Sequence, residues 1–394
     1  MMNSKKLKFS LLSASLLVGS AAAINANIPT MANHFSDVPL SMVEMLITIP
    51  SLFLMISVLT SSFIATKIGY KQTIMVGLGT VMIAGLVPFF IDNFMIILIS
   101  RACLGFGVGL FNSLLVSMIN YFYSSDKRSA MYGLQSAFEG VGGISITFIA
   151  GQLLKINWQG PFIAYAIAIP VFFIYLKVVP KVKTKEFLKT NTSKTKQKET
   201  QKGEFLPIMG YVILIFLAAM FYMIMGIKIS SLMISEGYGM ASDASFVIIL
   251  LSLGGISAGL LFGKILKVFK NYTASVGLMI LAVAMGILSQ SQNLILTFIG
   301  GYLTGFGFKV FMPTLIEKVN NSNFSNPTLA TSLILVGFNL GIFISPYGSV
   351  LIQFLIHTRH LPTLFIVNAL AFIVLALVGV VFSWISKTKI KVTN

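Results

Sequence analysis

The chain has 394 residues, 28 Lys and Arg against 11 Asp and Glu, a net charge of +17, and a composition that is 56% hydrophobic but only 10% charged. Soluble globular proteins carry about 25% charged residues, so the composition excludes a soluble fold and points to an all-α integral membrane protein. The single cysteine, Cys103, excludes an internal disulfide framework and any multi-cysteine metal site.

In chain order, Lys5, Lys6 and Lys8 precede an apolar stretch and Ala21-Ala22-Ala23, a pattern that imitates a signal peptide. The apolar run continues to Met31, so this segment is expected to remain as the first membrane helix. About twelve spans of bilayer length follow from the hydropathy. The first six are 9–31, 41–66, 73–91, 94–121, 129–154 and 161–179. The other six are 207–231, 243–266, 272–290, 294–316, 328–356 and 361–386. Residues 180–206 are rich in Lys, Thr and Gln and lack apolar periodicity, so they read as a linker between a first bundle, 1–179, and a second, 207–394. Cys103, inside the fourth span, reads as a small buried residue.

The charges set the topology. Placing both termini and the linker in the cytoplasm puts nearly every Lys and Arg inside, with Lys155 and Arg359 outside and Arg101, Lys228 and Lys309 within spans. The basic surplus is therefore a topology signal and a source of lipid contacts, and nucleic acid is not an expected partner. The low Arg content beside many Lys suggests a bacterial plasma-membrane protein.

The halves repeat at an offset of about 200 residues. Gly105-Phe106-Gly107 matches Gly305-Phe306-Gly307, Phe111 matches Phe311, and Phe138-Glu139 matches Phe338-Asn339. Ala130 matches Ala330, and Lys67 matches Lys267.

Two motifs carry a family resemblance. The fourth span holds Ile97, Arg101, Gly105 and Gly107, with Leu104 where the pattern often has Gln. After the second span, Ala65, Lys67, Gly69 and Lys71 follow a loop pattern in which Thr66 replaces the usual acid. Trp158-Gln159-Gly160-Pro161 enters the sixth span. Together these resemble the major facilitator superfamily of secondary transporters, and the reading extends to a bacterial drug:proton antiporter-like member. The Gly-Pro motif of proton antiporters is absent from the fifth span, where Gly140, Gly142 and Gly143 stand without the proline. The resemblance implies two six-helix bundles with a midplane site, spans one, four, seven and ten lining a cavity, and gating at Lys67, Gly69 and Lys71.

Intramembrane ionisable groups are the candidates for coupling. Glu139 lies about 15 Å into the fifth span and Arg101 about 10 Å below the outer end of the fourth, at 1.5 Å per residue. The two are expected to pair, either as a proton switch or as a permanent structural pair. Their repeat mates, Asn339 and Gly301, are uncharged, which favours the switch. Ser13, Ser20 and Asn27 fall on one face of a first-span helix, and Asn112 lies near the Arg101 face of the fourth. Tyr222, Phe308 and Lys309 add an apolar wall with a cation, and Asn339 completes the cavity set. Such a wall with few polar anchors suits amphipathic molecules. Glu44 reads as a solvated mouth residue, Lys228 as a snorkelling one, and His34, His357 and His360 as loop residues without metal.

The function expected is proton-coupled efflux of amphipathic small molecules or drugs by alternating access, by a monomer in contact with membrane lipids. The alternatives are proton-coupled transport of a sugar, amino acid or organic anion, with Arg101 and Lys309 gripping a carboxylate, and lipid flipping. No cofactor beyond the coupling proton is expected. An enzyme is not, and no phosphate-binding loop of a nucleotide-driven pump is present.

Overall fold

The computed structural model describes residues 4–123, 125–180, 205–320 and 327–392. Among these the chain is helical, without strands. Contacts divide the chain into two units, 1–196 and 197–394. The expected linker lies, from 181 to 204, outside the described residues.

The first unit contains α1 (Ser4–Ser15), a 3-10 segment (Val18–Asn27), α2 (Ile28–His34), α3 (Leu40–Ile68) and α4 (Tyr70–Phe90). It continues with α5 (Phe94–Phe122), α6 (Ser125–Leu153), a second 3-10 segment (Gly160–Ile167) and α7 (Ala168–Val178). The second unit contains α8 (Phe205–Ser235), α9 (Ala241–Phe269), a 3-10 turn (Lys270–Tyr272) and α10 (Thr273–Ser289). It ends with α11 (Leu294–Asn320), α12 (Pro327–Leu355) and α13 (Leu361–Val392). Ten described stretches are long and apolar enough to cross a bilayer. One of them, Ala241–Ser289, holds both α9 and α10. Helix α6 has span length but is more polar than the other long helices.

The first and sixth spans depart from the continuous helices expected. Each contains a long 3-10 stretch just before a proline, Pro29 and Pro170 respectively. Proline has no N–H to give the carbonyl four residues back. The turn before it tightens, so Ile28 N–H bonds Asn25 O, and Ala168 N–H bonds Tyr165 O and Ala166 O. Ser13, Ser20 and Asn27 therefore do not share one α-helical face: the heptad spacing is broken by a segment with three residues per turn.

Packing within each unit follows one scheme. In the first, α3 and α4 pack on α5, α6 packs on the first 3-10 segment, and α4 packs on the sixth span. In the second, α9 and α10 pack on α11, α12 packs on α8, and α10 packs on α13. Glycines at matching positions create these approaches. A Cβ at Gly77 would lie 2.7 Å from Gly107 O, and one at Gly277 would lie 2.9 Å from Gly307 O. Gly105 abuts the backbone of Pro50, as Gly305 abuts that of Leu251. Gly142 abuts the backbone of Leu16, as Gly341 abuts that of Phe216. Small residues let helix backbones touch where lipid supplies no hydrophobic drive.

Gly69 joins α3 to α4 at φ 99°, ψ 149°. Such backbone is essentially restricted to glycine, and a Cβ there would collide with the Gln72 amide. Gly69→Ala is expected to cost about 1–3 kcal/mol, read as a lower melting temperature in detergent. Gly133→Ala, where a Cβ meets nothing within 4 Å, is its reference, at which only the helix-propensity gain of about 1 kcal/mol is expected.

Candidate functional site

Arg101 is the centre of the first unit and is fully buried. Its Nε donates to Leu46 O at 3.1 Å, its Nη1 to the Tyr165 hydroxyl at 2.8 Å, and its Nη2 to Ala21 O at 2.9 Å. Each acceptor is available for a physical reason. Pro50 lacks the N–H that would bond Leu46 O within α3, so Arg101 takes that carbonyl. Ala21 lies in the 3-10 segment. Tyr165 accepts from Arg101, donates to Ser20 O at 2.8 Å, and places its ring 5.5 Å from the guanidinium carbon. Gly85 makes room for that ring, since a Cβ there would sit 2.6 Å from it. The guanidinium thus ties α3, α5 and both 3-10 segments together.

This corrects the expected Arg101–Glu139 pair. Arg101 makes no ion pair among the described residues, because two carbonyls and a hydroxyl satisfy it. Glu139 is the central residue of the 29-residue α6 and is half-buried. Its own carbonyl lies 3.4 Å from where a Gly19 Cβ would be. The turn carrying Glu139 and the guanidinium of Arg101 therefore contact the same 3-10 segment, two residues apart in sequence.

The second unit explains why the arginine is not repeated. Gly301 stands at the Arg101 position, and a Cβ on it would lie 3.1 Å from Val247 O. The residue four beyond Val247 is Leu251, not proline, so its N–H is present for that carbonyl. An arginine at 301 would have no orphan carbonyl at Val247 to satisfy, which gives the uncharged mate a structural reason.

The other expected residues are spread over several roles. Asn27 is fully buried and committed to structure: Nδ2 donates to Trp158 O at 2.7 Å and Oδ1 accepts from Thr30. Ser20 is fully buried, and its Oγ has no partner among the described residues. Asn112 is half-buried and makes no hydrogen bond within the described residues. Lys67 is exposed, its Nζ 4.3 Å from the Phe63 ring centroid. Lys71 donates to Leu176 O at 2.8 Å, a cation on the last turn of α7. Thr66, in place of the motif's acid, bonds Phe63 O of its own helix.

In the second unit Tyr222 of α8 stacks on Phe308 of α11, ring centroids 4.1 Å apart. Phe308 also meets Phe338 of α12 at 5.7 Å and Phe311 at 6.3 Å. Three helices thus supply one aromatic cluster. Lys309 is exposed, with its stem running over Gly255. Asn339 is buried and donates to Leu335 O in its own helix at 2.8 Å.

A family model described as Major Facilitator Superfamily matches residues 10–346. The chain belongs to that superfamily. Solved structures share its fold at low identity. The peptide transporter POT in complex with sulfate has a TM-score of 0.75 and 14% identity, covering 95% of this chain and 94% of that one. The nucleoside transporter NupG has a TM-score of 0.77 and 11% identity, covering 96% and 98%. No curated protein sequence matches. This major facilitator protein is therefore a multi-pass secondary transporter and not an enzyme.

Four residues of this transporter differ from their sequence reading or were missed by it. Tyr165, the hub beside Arg101, has no signal beyond its place after the Gly-Pro entry to the sixth span. Glu44 is fully buried, not solvated, and Lys228 is 2% exposed, not snorkelling to the surface. Both lie about four to seven residues inside helix ends, a depth at which packing, not sequence position, decides exposure. Cys103 is exposed, because it continues the outer stripe of α5 that carries the exposed Met95 and Ile99. His34 bonds Asp92 at 2.7 Å and stacks on Trp158 with centroids 4.5 Å apart. His360 lies 3.8 Å from Glu236.

Proposed function

We propose that this transporter exports amphipathic small molecules in exchange for protons by alternating access, from a bacterial plasma membrane with both termini cytoplasmic. The observation that carries the substrate class is the Tyr222–Phe308–Phe338 cluster. Flat π-faces from three helices favour planar apolar bodies and offset or edge-on ring contacts. Sugars would leave many hydroxyls unmatched on such a wall.

Glu139 is the proton carrier in this reading. A half-buried mid-span carboxylate binds a proton when its surroundings lose water and releases it when they gain water. Arg101 acts at one remove, by holding the 3-10 segment against which α6 rests. Lys67, Gly69 and Lys71 act at the loop that joins α3 to α4.

A second reading, transport of an anionic metabolite, is favoured by the exposed ammonium of Lys309. The burial of Arg101 and its three acceptors count against Arg101 as the other grip.

The test uses purified protein in liposomes with an internal pH dye and an imposed pH gradient. Lipophilic cations are expected to trigger proton flux, and Glu139→Gln, which cannot titrate, to reduce that flux to background while still binding the cation. Flux triggered by peptides, nucleosides or organic anions instead would transfer the conclusion to the second reading. Full flux in Glu139→Gln would remove Glu139 from the mechanism.

A further inference from the structure

Outside the groups discussed so far, α10, α11 and α13 enclose a cleft of about 410 Å³. Its lining includes Tyr272, Val276, Met279, Val283 and, across from them, Leu303 and Val380. Tyr272, Met279, Val283 and Val380 are exposed, so the cleft opens on the unit's surface. From Tyr272 to Val283 it runs about 16 Å at 1.5 Å per residue. That is about half of a ~30 Å hydrocarbon core, the depth of one leaflet.

Chemistry changes along this length. The deep part is aliphatic. At the Tyr272 end stand Lys264, Lys267 and Lys270, all exposed, and Lys318, whose Nζ donates to Asn271 O at 2.7 Å beside the cleft mouth. No Asp or Glu occurs from 244 to 316. Glu317, half-buried on α11, is the one acid adjoining this group in sequence.

We infer that this cleft is a binding site for one anionic phospholipid of the lysine-rich leaflet. One acyl chain lies along Val276, Met279 and Val283, and the headgroup phosphate sits at Lys270. The order cation, then aliphatic groove, matches the order phosphate, then chain. The inference does not depend on which solute is transported.

The experiment places a fluorescent reporter in the cleft. Met279→Trp is made in a full-length chain whose native Trp158 and Trp384 are Phe, and the protein is reconstituted in phosphatidylcholine vesicles. Phosphatidylglycerol or phosphatidylcholine carrying bromine on the acyl chain is then titrated in. The glycerol lipid is expected to quench at about fivefold lower mole fraction, since each lysine near an anionic surface contributes on that scale. Lys270→Gln should remove most of that preference, and Val380→Phe should weaken quenching by both lipids without changing their ratio. Equal quenching by the two lipids, or an unchanged ratio in Lys270→Gln, would overturn the inference. Absence of quenching together with cross-linking through Met279→Cys in a Cys103→Ser background would assign the cleft to a second copy of the chain and overturn it as well.

Discussion

Replacing Arg101 with alanine is expected to destabilise the first unit by about 3–5 kcal/mol, the usual penalty for stripping one partner from a buried charged set. Three acceptors lose their donor at once: Leu46 O, Ala21 O and the Tyr165 hydroxyl. A buried unsatisfied group costs about 1–3 kcal/mol, and release of the buried charge offsets part of the sum. Arg101→Lys should recover little, because an ammonium on a single stem cannot reproduce a planar fork that serves three directions. The decisive variant is Pro50→Ala. It restores an N–H to residue 50, which can then bond Leu46 O, so one of the three acceptors no longer needs Arg101. In a Pro50→Ala background the cost of Arg101→Ala should fall by about 1–2 kcal/mol. The measurement is a double-mutant cycle on detergent unfolding. Additive effects would show that Arg101 is not there to satisfy the carbonyl freed by the proline.

Adding one methyl group at Gly105 or at Gly305 is expected to cost about 3 kcal/mol or more and to abolish folded protein at 37 °C. A Cβ at Gly105 enters the Pro50 backbone, and one at Gly305 enters the Leu251 backbone. A side chain in the way could rotate, whereas a helix backbone moves only as a whole. Helix propensity alone predicts the opposite sign, since alanine is favoured over glycine by about 1 kcal/mol in a helix. That gain should appear at Gly133, Gly259 and Gly263, where a Cβ meets nothing within 4 Å. The contrast is read by yield and by melting temperature across the five alanine variants. Equal behaviour at crowded and open glycines would refute close backbone packing as the reason for the repeat's shared glycines.

The two predictions rest on different kinds of legibility. The glycines were visible in the sequence because the same Gly-x-Gly occurs in both halves, and a repeated small-residue pattern in apolar spans has few uses other than close approach. The role of Arg101 was not. Its depth and Glu139's depth are similar, and opposite charges at similar depth suggest a pair. The sequence does not show which backbone carbonyls a helix break leaves open nearby. A proline such as Pro50 implies a bend in its span, but its consequence falls on Leu46 O, and the donor that meets this carbonyl lies on another helix. Tyr165 carried no periodic signal, because a hub formed by three elements leaves no pattern in any one of them. Tyr222 and Phe308 were placed on cavity-lining spans by the family resemblance, and the structure adds that they stack on each other.

By itself the sequence determined the class, the approximate positions of the membrane spans, the two-fold internal repeat and the superfamily. These follow from hydropathy, charge placement and short motifs, all of which are local or periodic quantities. Tertiary structure decided where the first and sixth spans break into 3-10 geometry, what holds the buried guanidinium, that Glu44 and Lys228 are buried and Cys103 exposed, and that an aliphatic cleft opens between α10, α11 and α13. The physical reason is common to all of these. Burial and hydrogen-bond satisfaction belong to pairs of groups far apart in the chain, and a sequence shows each member of such a pair without showing the other.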